Sequence, residues 1–339
     1  MKSIGVGIVG YGLAGKWFHK MLVDATSGLH LAAITSRSAE KREQAARENP
    51  DAVVVQTFEQ LLNCDQVEVV VLATPHHVHC AETIAALEAG KHVVVDKIMA
   101  RSVAEADAMV AAEDRTGRLL SVFHNRRWDS DYLTVRQALA DGLLGEVYTV
   151  DIAVTRPGMP LKPLAGEKRW RATREAFGGQ LVDWGAHLMD QAVLLGGPSP
   201  DRVFCDLQYR HDGNETDSEG FVALHYRNGL RLTVTAGVQS WIEKPHWFIN
   251  GSAGSLVIDG IDPQEQIMRS TGEVPAGTPA AALPAEAVRY RGSRAEGLAP
   301  VPGNWVAYYE NVRDALRGEA ELAVTARQCR DVLRLYERC

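Results

Sequence analysis

The sequence predicts a two-domain α/β protein. A parallel sheet flanked by helices spans residues 1–123, and an α+β domain with an open, mostly antiparallel sheet spans residues 124–339. Three observations carry this reading: a strand running into a glycine loop and a helix, short wholly apolar runs up to residue 123, and strands that alternate apolar with polar residues beyond it. A length of 339 residues exceeds one ordinary core, and 46% hydrophobic with 23% charged residues matches a packed globular protein.

Ile4 to Val9 alternates small and β-branched residues and leads directly into Gly10-Tyr11-Gly12-Leu13-Ala14-Gly15, after which Lys16 to Val23 reads as a helix. This is G-x-G-x-x-G in the setting a dinucleotide site requires. Gly10 permits the tight turn, Gly12 lets a pyrophosphate approach the backbone, and Gly15 allows close helix–strand packing, with the phosphates at the helix N-terminus. The domain is therefore expected to be a Rossmann fold with Gly10, Tyr11, Gly12, Leu13, Ala14 and Gly15 at the cofactor. A P-loop is a poorer fit, because Trp17 follows Lys16 where a magnesium-binding Ser or Thr belongs.

A second strand, Leu31 to Thr35, ends where an NAD-specific domain carries an acidic residue for the ribose. Here the chain reads Ser36-Arg37-Ser38. A guanidinium between two hydroxyls suits the 2′-phosphate of NADP, the alternative being an arginine merely exposed in a loop, so NADP is favoured over NAD. Val69 to Ala73 is the next buried strand, followed by Thr74-Pro75-His76-His77-Val78-His79-Cys80 at the ligand-side edge; Thr74, Pro75, His76 and His79 are cofactor candidates. No carboxylate-rich set accompanies these histidines, so no metal is expected. His92 to Val95 then ends in Asp96-Lys97-Ile98 at the same edge, and a lysine there is placed for chemistry unless it merely points into water.

Ser121 to Phe123 supplies a last short strand, and His124-Asn125-Arg126-Arg127-Trp128-Asp129 is dense in polar groups suited to a cleft wall. Beyond a helix at Asp131 to Ala140, Glu146 to Thr155, Val203 to Arg210, Gly220 to Tyr226, Leu230 to Thr235 and Trp247 to Asn250 alternate as half-buried strands do. Turns flank Leu256 to Asp259, and Thr271 to Asn304, rich in Pro, Ala and Gly, is expected to wander as a long surface loop. Tyr308 to Leu316 and Ala326 to Tyr336 have the spacing of two closing helices.

Within this second part, Gly178-Gly179-Gln180-Leu181-Val182-Asp183-Trp184-Gly185-Ala186-His187-Leu188-Met189-Asp190 puts a carboxylate and an imidazole four residues apart, on one helical face. In oxidation of a carbinol the C–H leaves as hydride and the O–H proton needs a base. His187 is the natural base, Lys97 stabilises charge developing on the oxygen, and Asp183 holds the substrate or orients the imidazole. Either residue alone reads as readily as a helix cap or a packed core histidine; their joint occurrence favours catalysis.

A formal charge of −7 and the absence of a basic run argue against nucleic acid. Cys64, Cys80, Cys205, Cys329 and Cys339 are odd in number and scattered, which fits neither a disulfide framework nor a zinc ribbon and suits a reducing cytoplasm. Neither a signal peptide nor the roughly twenty apolar residues of a membrane span is expected.

Taken with the Ala73-Thr74-Pro75 loop and His79, the Gly90-Lys91-His92-Val93 strand leading to Lys97, and the Gly178–Asp190 segment, the chain resembles, over essentially its full length, the glucose-fructose oxidoreductase, inositol dehydrogenase and rhizopine-catabolism group of NAD(P)-dependent oxidoreductases. Residues Leu120–Asp129 and Thr35-Ser36-Arg37 look most like the NADP-dependent scyllo-inositol dehydrogenase branch. The resemblance implies a cyclic polyol or sugar substrate; Lys97, Asp183 and His187 as the catalytic group; and Trp170-Arg171, with Arg126 and Arg127, near substrate. Asp96, Lys97 and Asn125 join the cofactor set, and a homodimer or homotetramer packs through the C-terminal sheet. Relatives also include glycosidases that oxidise a sugar transiently without net redox change, and a non-enzymatic dinucleotide-binding regulator. One departure stands out: Asp96-Lys97-Ile98 replaces Glu-Lys-Pro, which frees φ and restores an N–H at position 98.

Overall fold

The structure, a computed structural model, describes residues 3–158, 164, 166–210, 213–275 and 287–339. The chain divides into two compact units. The first comprises residues 3–125, Glu265–Pro275 and Trp305–Arg330, and the second Arg126–Gln264, residues 287–304 and Asp331–Cys339.

The first unit is built on six parallel strands, β1 (Ile4–Val9), β2 (Leu29–Thr35), β3 (Val53–Val55), β4 (Val69–Leu72), β5 (His92–Val95) and β6 (Leu120–Val122), in the order β3-β2-β1-β4-β5-β6. The order reverses between β1 and β4, which makes their carboxyl ends the ligand-binding edge. Every residue of β4 is buried, as its apolar run requires of a strand covered on both faces. Three helices that periodicity did not reveal begin at side-chain caps. Ser38 accepts from the Lys41 amide before Ala39–Glu48, Thr57 and Gln60 form a capping box before Phe58–Leu62, and Ser102 accepts from the Glu105 amide before Val103–Thr116. The closing helix Val306–Leu316 belongs to this unit. Its Tyr308 hydroxyl lies 2.8 Å from Ser121 Oγ, and its Tyr309 hydroxyl 2.7 Å from His19 Nδ1.

In the second unit, β7 (Val147–Pro157), β8 (Arg202–Gln208), β9 (Glu219–His225), β10 (Arg231–Ser240), β11 (Trp247–Gly251), β12 (Gly254–Ile258), β13 (Ala287–Arg291) and β14 (Arg294–Leu298) form a sheet of order β14-β13-β12-β11-β7-β10-β9-β8. β7 and β10 run parallel; the other neighbours are antiparallel. Val150, Ile152, Val234 and Ile249 pack with Tyr132 and Val135 of helix Ser130–Ala140 and with Leu188 and Met189 of helix Gly185–Gly196. Alternation leaves Tyr148, Phe204 and Phe248 exposed. A buried carboxylate ties helix to sheet: Asp131 accepts from the Trp247 indole N–H at 3.1 Å and from the Asp262 amide at 2.9 Å. Burial opposes its ionisation, but His246 and these donors hold its pKa below the usual range.

The expected loop from Thr271 to Asn304 is corrected in its described parts. Gln264–Thr271 is a helix, and β13 and β14 form a hairpin across Gly292-Ser293, with Gly292 at φ 62°. A two-residue Gly-Ser link between alternating runs favours this hairpin over a wandering loop. Residues 276–286 lie outside the described residues.

Candidate active site

The three loop glycines lack a side chain for two different reasons. A Cβ on Gly10, at φ +98°, would sit 2.4 Å from the Ala73 carbonyl oxygen, and one on Gly15 would sit 1.9 Å from the Gly10 carbonyl oxygen. A Cβ on Gly12 would meet nothing within 4 Å. The first two are thus demanded by the protein's own packing, while Gly12 faces open space of the kind a pyrophosphate needs. Leu13 and Ala14 open the helical stretch that continues through Gly15–Lys20 and Met21–Ala25. Tyr11 turns its ring inward: its hydroxyl donates to Glu48 Oε2 at 2.8 Å and accepts from Asn49 at 2.9 Å, and burial pushes its pKa up to about 12. Only its backbone faces the loop's function. Lys16 is held 2.7 Å from Glu48 Oε1 rather than serving as a P-loop lysine.

At the end of β2, Arg37 is exposed and the Ser38 hydroxyl caps the next helix. Arg42 donates to the carbonyls of both Ser36 and Arg37, fixing the loop's path. Arg37 also lies within electrostatic reach of Glu82, whose carboxyl burial pushes up while the Thr74 hydroxyl, 2.8 Å away, and the Arg37 charge pull it down. Arg37 and Thr74 therefore belong to one edge of the sheet.

Thr74 and Pro75 follow β4, and His76 begins a short turn that leads into helix His79–Glu88. His79 is fully buried. Its Nε2 lies 2.8 Å from the Thr74 carbonyl and its Nδ1 2.9 Å from the Ile98 carbonyl, so the ring braces the two loops from behind rather than facing a ligand. Burial pushes its pKa down, with the two carbonyls pulling the other way. Asp96 Oδ1 accepts from the Lys97 amide at 2.8 Å, Ile98 is buried, and the Lys97–Ile98 peptide bond is cis. Asn125 is buried at the end of the first unit.

In the second unit, helix Gln180–Asp183 and helix Gly185–Gly196 meet at Trp184, whose own dihedrals are helical. The His187 amide bonds to the Trp184 carbonyl at 3.2 Å, so Asp183 and His187 follow one another across a tightened turn, not within one regular helix as expected. Arg171 Nε lies 3.4 Å from Asp183 Oδ2, and its guanidinium covers the Trp170 ring at 4.3 Å. The Trp184 ring carries the guanidiniums of Arg126 at 4.4 Å and Arg156 at 4.0 Å, and its centroid is 6.5 Å from that of His187. Trp170 and Arg171 are thus gathered at Asp183, and Arg126 and His187 at the neighbouring Trp184. Arg127 has a different setting, in a buried bidentate pair with Asp190 at 2.7 and 2.8 Å. Arg126 is 3.0 Å from Asp129.

Sequence reasoning passed over Arg156, Arg42, Glu48 and Asp217. Each is distant in sequence from the motif it touches or lacks a pattern of its own; Arg156, next to Pro157 at the end of β7, was findable only as a charge ending an apolar run.

Residues 4–124 match a family model described as an oxidoreductase family with an NAD-binding Rossmann fold, and residues 132–257 match the GFO/IDH/MocA C-terminal domain. The chain is 36% identical to the oxidoreductase YdgJ of Escherichia coli, covering 99% of this chain and 95% of YdgJ. It is 33% identical to IolW of Bacillus subtilis, a scyllo-inositol 2-dehydrogenase (NADP(+)), covering 99% and 92%. Among solved structures, the oxidoreductase yvaA of Bacillus subtilis superposes with a TM-score of 0.89 at 31% identity, covering 99% of this chain and 95% of that one. An oxidoreductase from Klebsiella pneumoniae gives 0.86 at 32%, covering 100% and 93%. No helix among the described residues is long and apolar enough to cross a membrane. The chain belongs to the GFO/IDH/MocA family of NAD(P)-dependent oxidoreductases.

Proposed function

We propose that this protein is an NADP-preferring dehydrogenase that oxidises one hydroxyl of a cyclic polyol or sugar, with Lys97, Asp183 and His187 handling the proton. The observation that carries the reading is the space beside Gly12, bounded by two glycines whose absent side chains the fold itself requires. A dinucleotide fits that cradle: the Gly10–Gly15 backbone takes the pyrophosphate, Ser36, Arg37 and Ser38 the 2′-phosphate, and Thr74, Pro75, His76, Asp96 and Asn125 the remainder. When bound, it supplies the hydride acceptor.

The chain's own groups do the rest. Lys97 donates a hydrogen bond to the substrate oxygen and lowers the energy of negative charge developing there, while His187 receives the hydroxyl proton. Asp183, held by Arg171, fixes the hydroxyl or the imidazole. Residues 1–123 serve the cofactor and 124–339 the substrate and subunit contacts, in a cytoplasmic homodimer or homotetramer. The similarity to IolW supports a scyllo-inositol-like substrate and NADP.

The test supplies NADP or NAD with a panel of inositols, sugars and glycosides, and follows both reduced cofactor and products. Reduction of NADP by a polyol or sugar is expected. Aglycone release with no accumulated reduced cofactor would replace the reading with a redox-neutral glycosidase, and no turnover across the panel would replace it with a dinucleotide-binding regulator.

A further inference from the structure

Asp217, which lies in none of the sequence motifs, grips the segment that carries Asp183. We propose that it is a positioning residue, setting the place of Asp183 and of the Arg171 that pairs with it; the proposal rests on the catalytic reading above.

Helix Gln180–Asp183 starts at Gly179, which has no side chain with which to cap it. Asp217, between β8 and β9, supplies the cap, its Oδ2 accepting from the Leu181 amide at 2.9 Å. The other oxygen lies so close that a Cβ on Gly179 would be 2.0 Å from it, and Gly179 stands at φ +115°. The second glycine of the Gly178-Gly179 pair thus makes room for this carboxylate. Asp217 is buried, and burial raises its pKa although the amides of Leu181, Asp217 and Gln180 favour the ionised form.

The neighbours of Asp217 hold the opposite arm. Thr216 Oγ1 donates to the Arg171 carbonyl at 3.2 Å, and the Glu215 amide donates to the Ala172 carbonyl at 2.9 Å. The Arg171 carbonyl also accepts from the Gly179 amide at 3.0 Å, and a Cβ on Gly178 would sit 2.1 Å from it. One three-residue loop therefore fixes both backbone arms whose side chains form the Arg171–Asp183 pair. Leu181 is held at its carbonyl as well, by the Tyr336 hydroxyl at 2.8 Å. With amide and carbonyl both engaged, the position two residues before Asp183 has little freedom.

The experiment compares wild type, Asp217→Asn and Asp217→Ala, using NADP and scyllo-inositol for turnover, NADPH titration for cofactor binding and active-site count, and amide hydrogen exchange over residues 178–190. Asp217→Ala should lower kcat per NADPH-binding site roughly 10- to 100-fold, since misplacement of about 1 Å at a reacting group costs on that order. NADPH affinity should stay within about twofold, far below the tenfold that 1.4 kcal/mol represents. Asparagine, which keeps one acceptor oxygen, should restore part of kcat, and exchange at residues 180–183 should quicken in the alanine variant. An unchanged kcat per binding site in Asp217→Ala, or an asparagine variant no better than alanine, overturns the proposal. If wild type turns over no scyllo-inositol, that substrate assignment fails, and hydrogen exchange still decides the positioning: unaltered protection at 180–183 in Asp217→Ala refutes it.

Discussion

Gly12 and Gly15 make opposite predictions from the same substitution. At Gly15 an alanine Cβ would lie 1.9 Å from the Gly10 carbonyl oxygen, whereas ordinary contact begins at 3.4 Å. Loop or helix must move by about 1.5 Å, and overpacking of this kind costs roughly 1–3 kcal/mol. Gly15→Ala should therefore lower the unfolding midpoint by several degrees, at roughly 2–4 °C per kcal/mol. At Gly12 the Cβ meets nothing of the protein, and its φ lies outside the left-handed region, so Gly12→Ala should be neutral or stabilise by about 0.4–1 kcal/mol through the unfolded chain. The same methyl occupies the space assigned to the pyrophosphate. Losing one charge-assisted hydrogen bond there, about 1.5–3 kcal/mol, weakens NADPH binding roughly 10- to 100-fold. Thermal unfolding and NADPH titration of the two variants test this. A Gly12→Ala protein that binds NADPH as tightly as wild type would refute the cradle, and a Gly15→Ala protein of unchanged stability would refute the packing.

Arg37→Ala should weaken NADP binding roughly 10- to 100-fold and leave NAD binding unchanged, the loss corresponding to about 1.5–3 kcal/mol of charge-assisted bonding; paired titrations with the two cofactors check it. Burial opposes ionisation of Glu48, yet hydrogen bonds from Lys16, Gln44 and Tyr11 bring its pKa down from 4.5 to about 2. A depressed carboxylate contributes stability that is fully present above pH 4.5 and lost as pH falls towards 2, so Glu48→Gln should flatten the acid limb of a midpoint-against-pH curve in that window. Asp131→Ala leaves the Trp247 indole and the Asp262 amide without their buried acceptor and should cost about 3–5 kcal/mol, read from denaturant unfolding.

Much of the first unit was legible because its signals are local. The glycine loop, the apolar runs of β4 and β5 and the residues at their carboxyl ends all lie within one strand and its following turn. β3, a three-residue edge strand, carries too little pattern to be legible, and helices Ala39–Glu48 and Val103–Thr116 have weak apolar periodicity, the first burying only Ala45 and the second having alanine at two of its four buried positions. The hairpin of β13 and β14 was hidden by the Pro- and Ala-rich stretch before it, although Gly292-Ser293 marks its turn. Of the proposed site, Asp183 and His187 are named by their spacing and Arg171 by the family resemblance. Their supports could not: Asp217 and Tyr336 act on Leu181 from 36 and 155 residues away, and such contacts leave no periodic trace. His79 was legible as a motif residue but not in its role, since two carbonyl partners from separate loops define it.

The most direct measurement is single-turnover hydride transfer to NADP from the polyol or sugar found active in the panel, in wild type and Lys97→Ala, with NADPH affinity measured in parallel. Removing a positioned donor to developing negative charge costs roughly 10²- to 10³-fold, so the variant should lose that much in rate while binding NADPH within a fewfold of wild type. A Lys97→Ala protein that transfers hydride at the wild-type rate would contradict the assignment of the reaction to this site.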